Sequence, residues 1–176
     1  MNTARAELLK LATLPALALT VVLTWAVTTL IALVAPDGPD PIPVVRAGFL
    51  VLGVLAATSE YDGGHIHTTL LCTPRRGRLQ FTRTLVLTLA TVPVAVVTVL
   101  IAGTGDPVHL VLTTVLAAAV GTLLRHAPAA VVVLLGYYYV LGPFVRDRVD
   151  DSMWLPAGWT VVAVLAATVA VVRRDA

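Results

Sequence analysis

The chain has 176 residues, 58% of them hydrophobic and only 12% charged, with a mean hydropathy of +0.91. Soluble domains carry about 45–50% apolar and about 25% charged residues, so a soluble core of this size would lack the polar side chains to cover itself. That composition argues against an ordinary soluble enzyme, a disordered tail or a nucleic-acid binder; the net charge of +2 is small, and the single cysteine, Cys72, excludes an internal disulfide or a cysteine-rich metal site.

Residues 2–14 read as a short amphipathic helix lying on the membrane surface. Asn2 or Thr3 can cap it, Leu8, Leu11 and Leu14 share a face, and Arg5 and Lys10 can reach anionic headgroups. Pro15 breaks its register. The uncharged run 16–35 follows as a first span. It is longer than a signal-peptide core of about 7–15 residues and no A-x-A site closes it, so it reads as a retained helix. Pro36-Asp37-Gly38-Pro39-Asp40-Pro41 cannot continue a helix. The second span, 42–60, carries Arg46 near one end, where the side chain can snorkel. Residues 61–78 form a cytoplasmic segment, and 79–103 form the third span, with Pro93 as a bend.

Gly103-Thr104-Gly105-Asp106-Pro107 is a tight turn into the fourth span, 107–124, which has His109 near one end. Arg125-His126-Ala127-Pro128 turns into the fifth, 127–145, where Gly136 and Gly142 permit close helix contact and Pro143 can bend it. Arg146 to Asp151 reads as a solvated turn before the sixth span, 153–172, with Trp154 and Trp159 as interfacial anchors. A helix needs roughly 20 apolar residues to cross a hydrocarbon core of about 30 Å. The Val-rich runs lack the polar–apolar alternation of membrane strands, and open strands leave backbone groups unpaired in lipid. The expectation is an all-α integral membrane protein, one transmembrane domain over 1–176, with six transmembrane helices, an N-terminal interfacial helix and a short cytoplasmic helix after span two.

Charge placement sets the orientation. With a cytoplasmic N-terminus, Arg5, Lys10, Arg75, Arg76, Arg78, Arg83, Arg125, Arg173 and Arg174 fall inside. Only Arg46, Arg146 and Arg148 fall outside, together with Asp37, Asp40, Asp106, Asp147, Asp150 and Asp151. Cytoplasmic loops favour Lys and Arg, so both termini are expected inside the cell membrane.

The segment after span two is the most informative. Gly63-Gly64 permits a sharp change of direction after Glu60-Tyr61. His65–Thr73 can then form about two helical turns, with Ile66 and Leu70 on one face at i, i+4. Pro74 stops that helix, and Arg75, Arg76 and Arg78 make a dense basic turn before span three. Such a stiff, half-apolar knuckle has the shape of something that docks into a partner.

The run Ser59-Glu60-Tyr61, then Gly64, Ile66, Thr69-Leu70 and Pro74-Arg75-Arg76-Gly77-Arg78, resembles the permease subunits of type-2 ATP-binding-cassette (ABC) exporters, a kind widespread in actinobacteria. That family carries a similar run between its second and third spans, containing the coupling helix that contacts the ATPase. Ala6-Glu7-Leu8-Leu9-Lys10-Leu11 also looks like the family's interfacial helix. The resemblance implies an ATPase-coupling interface at Glu60, Tyr61, Gly64, Ile66, Thr69, Leu70, Pro74, Arg75 and Arg76. It implies as partners two copies of an ABC ATPase, a second permease copy or a related permease, and the lipid bilayer. Two departures are the short loop between spans one and two and the short chain. The chain has no G-x-x-x-x-G-K-[ST] loop, and Lys10 is its only lysine. No cofactor is expected in it, and no enzymatic activity: ATP and Mg would be bound and ATP hydrolysed by the partner.

Other polar groups read more plainly. His65 and His67 project about 200° apart on a helix and cannot share a metal ion there. Glu60 can brace the knuckle by pairing with Arg75 or Arg76. Cys72 reads as a small filler, and no catalytic pairing accompanies Glu60. Tyr137, Tyr138 and Tyr139 are candidates to line a pathway, because three consecutive residues cannot all face lipid. The few charges within the spans suggest a hydrophobic or amphiphilic substrate. The rival reading, a small membrane scaffold or accessory protein without transport activity, accounts for the spans but not for the basic knuckle.

Overall fold

The computed structural model describes residues 13–34, 38, 40–59, 76–141, 158, 160–167 and 169. Among them the regular structure is all helical, with no strand. The elements are α1 (Pro15–Val34), α2 (Ile42–Thr58), α3 (Arg76–Ala102), α4 (Pro107–Leu124) and α5 (Ala127–Leu135). A π-helical turn over Gly136–Leu141 continues α5, and 160–167 is helical again. Pro15–Val34, Phe81–Ala102 and Pro107–Leu124 are long and apolar enough to cross a membrane. Ile42–Thr58 and Ala127–Val140 are apolar but shorter. At 1.5 Å per residue the 17 residues of α2 cover about 25 Å. The expected interfacial helix, 2–14, lies outside the described residues except for its last two positions.

Local chemistry explains where the helices start and stop. Pro15 opens α1, where a missing N–H costs nothing. Asp40 accepts a hydrogen bond from the Ile42 amide through Oδ1 at 3.1 Å, just ahead of α2. Asp106 caps α4 by accepting from the Val108 amide at 2.9 Å, with Pro107 behind it. The imidazole of His126 caps α5, its Nδ1 accepting from the Ala129 amide at 3.4 Å. Gly103 ends α3 at φ +70, a left-handed conformation that glycine adopts without strain. Arg125 takes the same role after α4 at φ 53, its N–H donating to the Gly121 carbonyl at 2.9 Å. The helix α3 begins at Arg76, so Arg76, Gly77 and Arg78 form its first turn rather than a loop ahead of it. Pro93 sits inside α3 without ending it.

The connections define two ends of the bundle. The Thr104 hydroxyl donates to Asp40 Oδ1 at 3.0 Å, tying the α1–α2 and α3–α4 connections together at an acidic end. Arg83, Arg125 and His126 mark the opposite, basic end.

Packing centres on α2, which contributes to all three apolar clusters. Val45 and Phe49 pack with Ala95 of α3 and Leu110, Val111 and Val115 of α4. Leu50 and Val54 pack with Ala117 of α4 and Ala130 and Leu134 of α5. Leu52 and Ala56 pack with Leu17 of α1 and Leu87 of α3. The backbones of α2 and α4 come close together. A Cβ on Gly53 would lie 2.3 Å from the Thr114 carbonyl oxygen, and one on Gly121 would lie 3.3 Å from the Ala57 Cβ. Small residues let helix backbones approach where lipid offers no hydrophobic drive for association. By contrast, α1 is peripheral: 11% of its apolar window is buried, against 50% for α4.

Threonines run through these apolar helices and turn inward on themselves. Thr28, Thr58, Thr98 and Thr114 are fully buried. Their hydroxyls donate to the carbonyls of Thr24, Val54, Val94 and Leu110, one turn back in each case. A satisfied hydroxyl carries little desolvation cost. Thr98 also accepts from Trp25 Nε1 at 2.9 Å, a side-chain hydrogen bond between α3 and α1.

Candidate functional site

Two places bring chemistry together. The first is at the acidic end, where the π-turn after α5 meets the first turns of α2. The guanidinium carbon of Arg46 lies 5.6 Å from the centre of the Tyr138 ring, within cation–π range. Tyr138 meets Tyr137 edge to face, with centroids 5.6 Å apart and planes at 86°. The Tyr139 hydroxyl donates to the Pro43 carbonyl. Arg46 Nε is buried and has no hydrogen-bond partner, alone among the buried side-chain nitrogens and oxygens of the described residues. A widened π-turn redirects side chains relative to an α-helical continuation, and such turns are frequent at functional sites. Here it sets Tyr138 against Arg46 and Tyr139 against Pro43.

The second is a cleft at the basic end, about 40 Å³ in volume, lined among others by Ala56, Ala57, Arg83, Thr84, Thr122 and Val164. It has room for a few water molecules or methyl groups. Pockets for small organic ligands run to about 300–1,000 Å³, so this cleft alone is no substrate chamber. Arg83 gives it a cationic rim where α3 leaves its first turns.

The residues predicted for coupling fall mostly outside the described region. Glu60, Tyr61, Gly64, Ile66, Thr69, Leu70, Pro74 and Arg75 lie there, as do the His65–His67 pair, Cys72 and the Glu60 brace. Arg76 is the first residue of α3. Thus the run that carries the resemblance joins the basic-end terminus of α2 to the start of α3. Of the tyrosines, Tyr137 and Tyr139 are partly exposed and Tyr138 is half-buried against the second cluster. None of the three lines the basic-end cleft.

Sequence reasoning treated Arg46 and the tyrosines separately. Their meeting was not foreseen, because the π-turn that creates it has no sequence signal beyond Gly136. The Trp25–Thr98 bond was missed as well, although an indole N–H in an apolar helix calls for an acceptor. Among the described residues, no group of three His, Cys, Asp or Glu side chains could hold a metal ion. In comparisons with known proteins the chain matches no family model, no curated protein and no solved structure.

Proposed function

We propose that the chain is the membrane-spanning permease subunit of an ATP-driven ABC exporter, crossing the cell membrane six times with both termini cytoplasmic. The observation that carries this reading is the run from Glu60-Tyr61 to Pro74-Arg75-Arg76-Gly77-Arg78 and its position in the chain. It joins α2 to α3, at the end of the bundle that also bears Arg83 and Arg125. Three helices apolar and long enough to span a bilayer support a membrane subunit. A basic inner end against an acidic outer end supports the orientation.

On this reading two ATPase subunits bind ATP and Mg and dock on Ile66 and Leu70. A push on that segment acts on α2 and α3. Because α2 is shared by all three clusters and touches α4 backbone to backbone at Gly53, it moves as part of a packed unit. The pathway would lie between two permease copies, or between this chain and a related permease. The substrate class is hydrophobic or amphiphilic.

The test is Ile66→Asp and Leu70→Asp in a chain co-expressed with its ATPase. A charge buried in that contact without a partner weakens association by about 2–4 kcal/mol. Insertion should be unaffected, and ATPase recovery with the chain should fall at least tenfold. Full recovery with both variants would remove this face as the docking surface.

A further inference from the structure

We infer that Arg46 is a binding residue for the phosphate of an anionic amphiphile, held at the acidic end of the bundle with the Tyr138 ring as its seat. The inference does not depend on the exporter reading.

Arg46 lies about one turn inside α2, a helix otherwise free of charge. Its Nε is buried and unpartnered, and no ion pair joins its guanidinium to any described residue. The described carboxylates at this end have other tasks. Asp40 takes the Ile42 amide and the Thr104 hydroxyl on one oxygen. Asp106 takes the Val108 amide as the cap of α4. The face of Tyr138 compensates the cation only in part. A guanidinium cannot shed its proton, so in a half-buried place at a membrane boundary it calls for an anion.

The surroundings say which kind of anion fits. The buried Nε and the ring fix the stem, leaving the two terminal nitrogens as the reactive edge. That edge offers a planar donor pair, which suits a phosphate or carboxylate oxygen. The Tyr139 hydroxyl, while donating to the Pro43 carbonyl, keeps lone pairs and stands beside the same turn of α2. Val44, two residues before Arg46, and Val140, next to Tyr139, are exposed and apolar. A ligand with an anionic head and a hydrocarbon tail would therefore meet complementary surface at both its parts. A free phosphate ion would meet it at only one, and phosphate esters are the anions that a bilayer supplies at this depth.

The experiment uses the full chain in vesicles of phosphatidylcholine containing a minor fraction of phosphatidylglycerol. The chain is extracted in neutral detergent, and native mass spectrometry reads the bound lipid. The wild type should retain phosphatidylglycerol at about tenfold above its bulk fraction, the scale of one charge-assisted contact. Arg46→Gln should return retention to the bulk ratio, and Arg46→Lys should keep part of the preference. Tyr138→Leu, which leaves the cation but removes its seat, should weaken the preference several-fold. Helix content and melting temperature report whether each variant is folded. If Arg46→Gln does not fold, Arg46→Lys and Tyr138→Leu decide between them. Equal retention by wild type and the folded variants would overturn the inference. So would loss of the bound lipid to millimolar inorganic phosphate, which would make the ligand a free ion. A third contrary result is a preference that the wild type lacks and that appears with Asp147→Asn, Asp150→Asn and Asp151→Asn together, because the chain's own carboxylates would then be the partner.

Discussion

Replacing Gly53 by alanine places a methyl carbon 2.3 Å from the Thr114 carbonyl oxygen and 2.9 Å from the Ala117 Cβ. An ordinary carbon–oxygen contact lies at about 3.3–3.6 Å, so α2 must retreat from α4 by about 1 Å. The obstacle is backbone, which cannot swing aside as a side chain does. Retreat also loosens Leu50 and Val54 against Ala117, since all three belong to one cluster. Overpacking of this kind costs about 1–3 kcal/mol, offset by about 1 kcal/mol from the better helix propensity of alanine. The net expectation is a loss of up to about 2 kcal/mol. Gly121→Ala is the internal control. Its Cβ would sit 3.3 Å from the Ala57 Cβ and 3.4 Å from the Val54 backbone, tight by a few tenths of an ångström but well short of the Gly53 clash, so it should cost less than Gly53→Ala. Adding Ala117→Gly to Gly53→Ala relieves the 2.9 Å contact but not the carbonyl clash, so rescue should be partial. The assay is reversible unfolding in mixed micelles at rising sodium dodecyl sulfate fraction, followed by tryptophan fluorescence. Equal stability of Gly53→Ala and Gly121→Ala, or a larger loss at Gly121, would refute the close α2–α4 approach.

Two further outcomes follow from the same geometry and from the charge pattern. Trp25→Phe and Thr98→Val should each cost about 0.5–1.5 kcal/mol in the same unfolding assay, and the double variant should cost less than their sum, because both remove the one bond between Trp25 Nε1 and Thr98 Oγ1; strict additivity would contradict that bond. In a Cys72→Ala background, an impermeant thiol reagent added to intact cells should label Thr104→Cys, at the exposed acidic end, and not Gly77→Cys; labelling at Gly77 would reverse the orientation.

Most helix starts were legible because they rest on local chemistry, the exception being α3, which begins at Arg76, three residues ahead of the expected 79. Asp106-Pro107 announces an N-cap and first turn, and α4 begins there. The turn after α4 was legible from Ala127-Pro128, yet Arg125 in the left-handed region was not, since glycine or asparagine is the usual signal. The partners of each helix were not legible. In lipid, the face toward a neighbour and the face toward acyl chains are equally apolar, so periodicity does not separate them. Gly53 and Ala57, four apart on α2, and Ala117 and Gly121, four apart on α4, are the small residues that meet. Each pair is visible in the sequence, but nothing local says that one pair faces the other. The Arg46–Tyr138 contact joins residues far apart in sequence and depends on the π-turn, which is a tertiary outcome.

The reading of this chain as a permease stands most directly on whether it travels with an ATPase. The wild-type chain would be affinity-purified from the membranes of its own host in mild detergent, then assayed for bound protein and for Mg-dependent ATP hydrolysis. The expected result is an equimolar partner carrying a G-x-x-x-x-G-K-[ST] phosphate loop, hydrolysing ATP in the purified complex. An intact, helical chain recovered from those membranes with no nucleotide-hydrolysing partner would contradict the reading and favour a scaffold without transport activity.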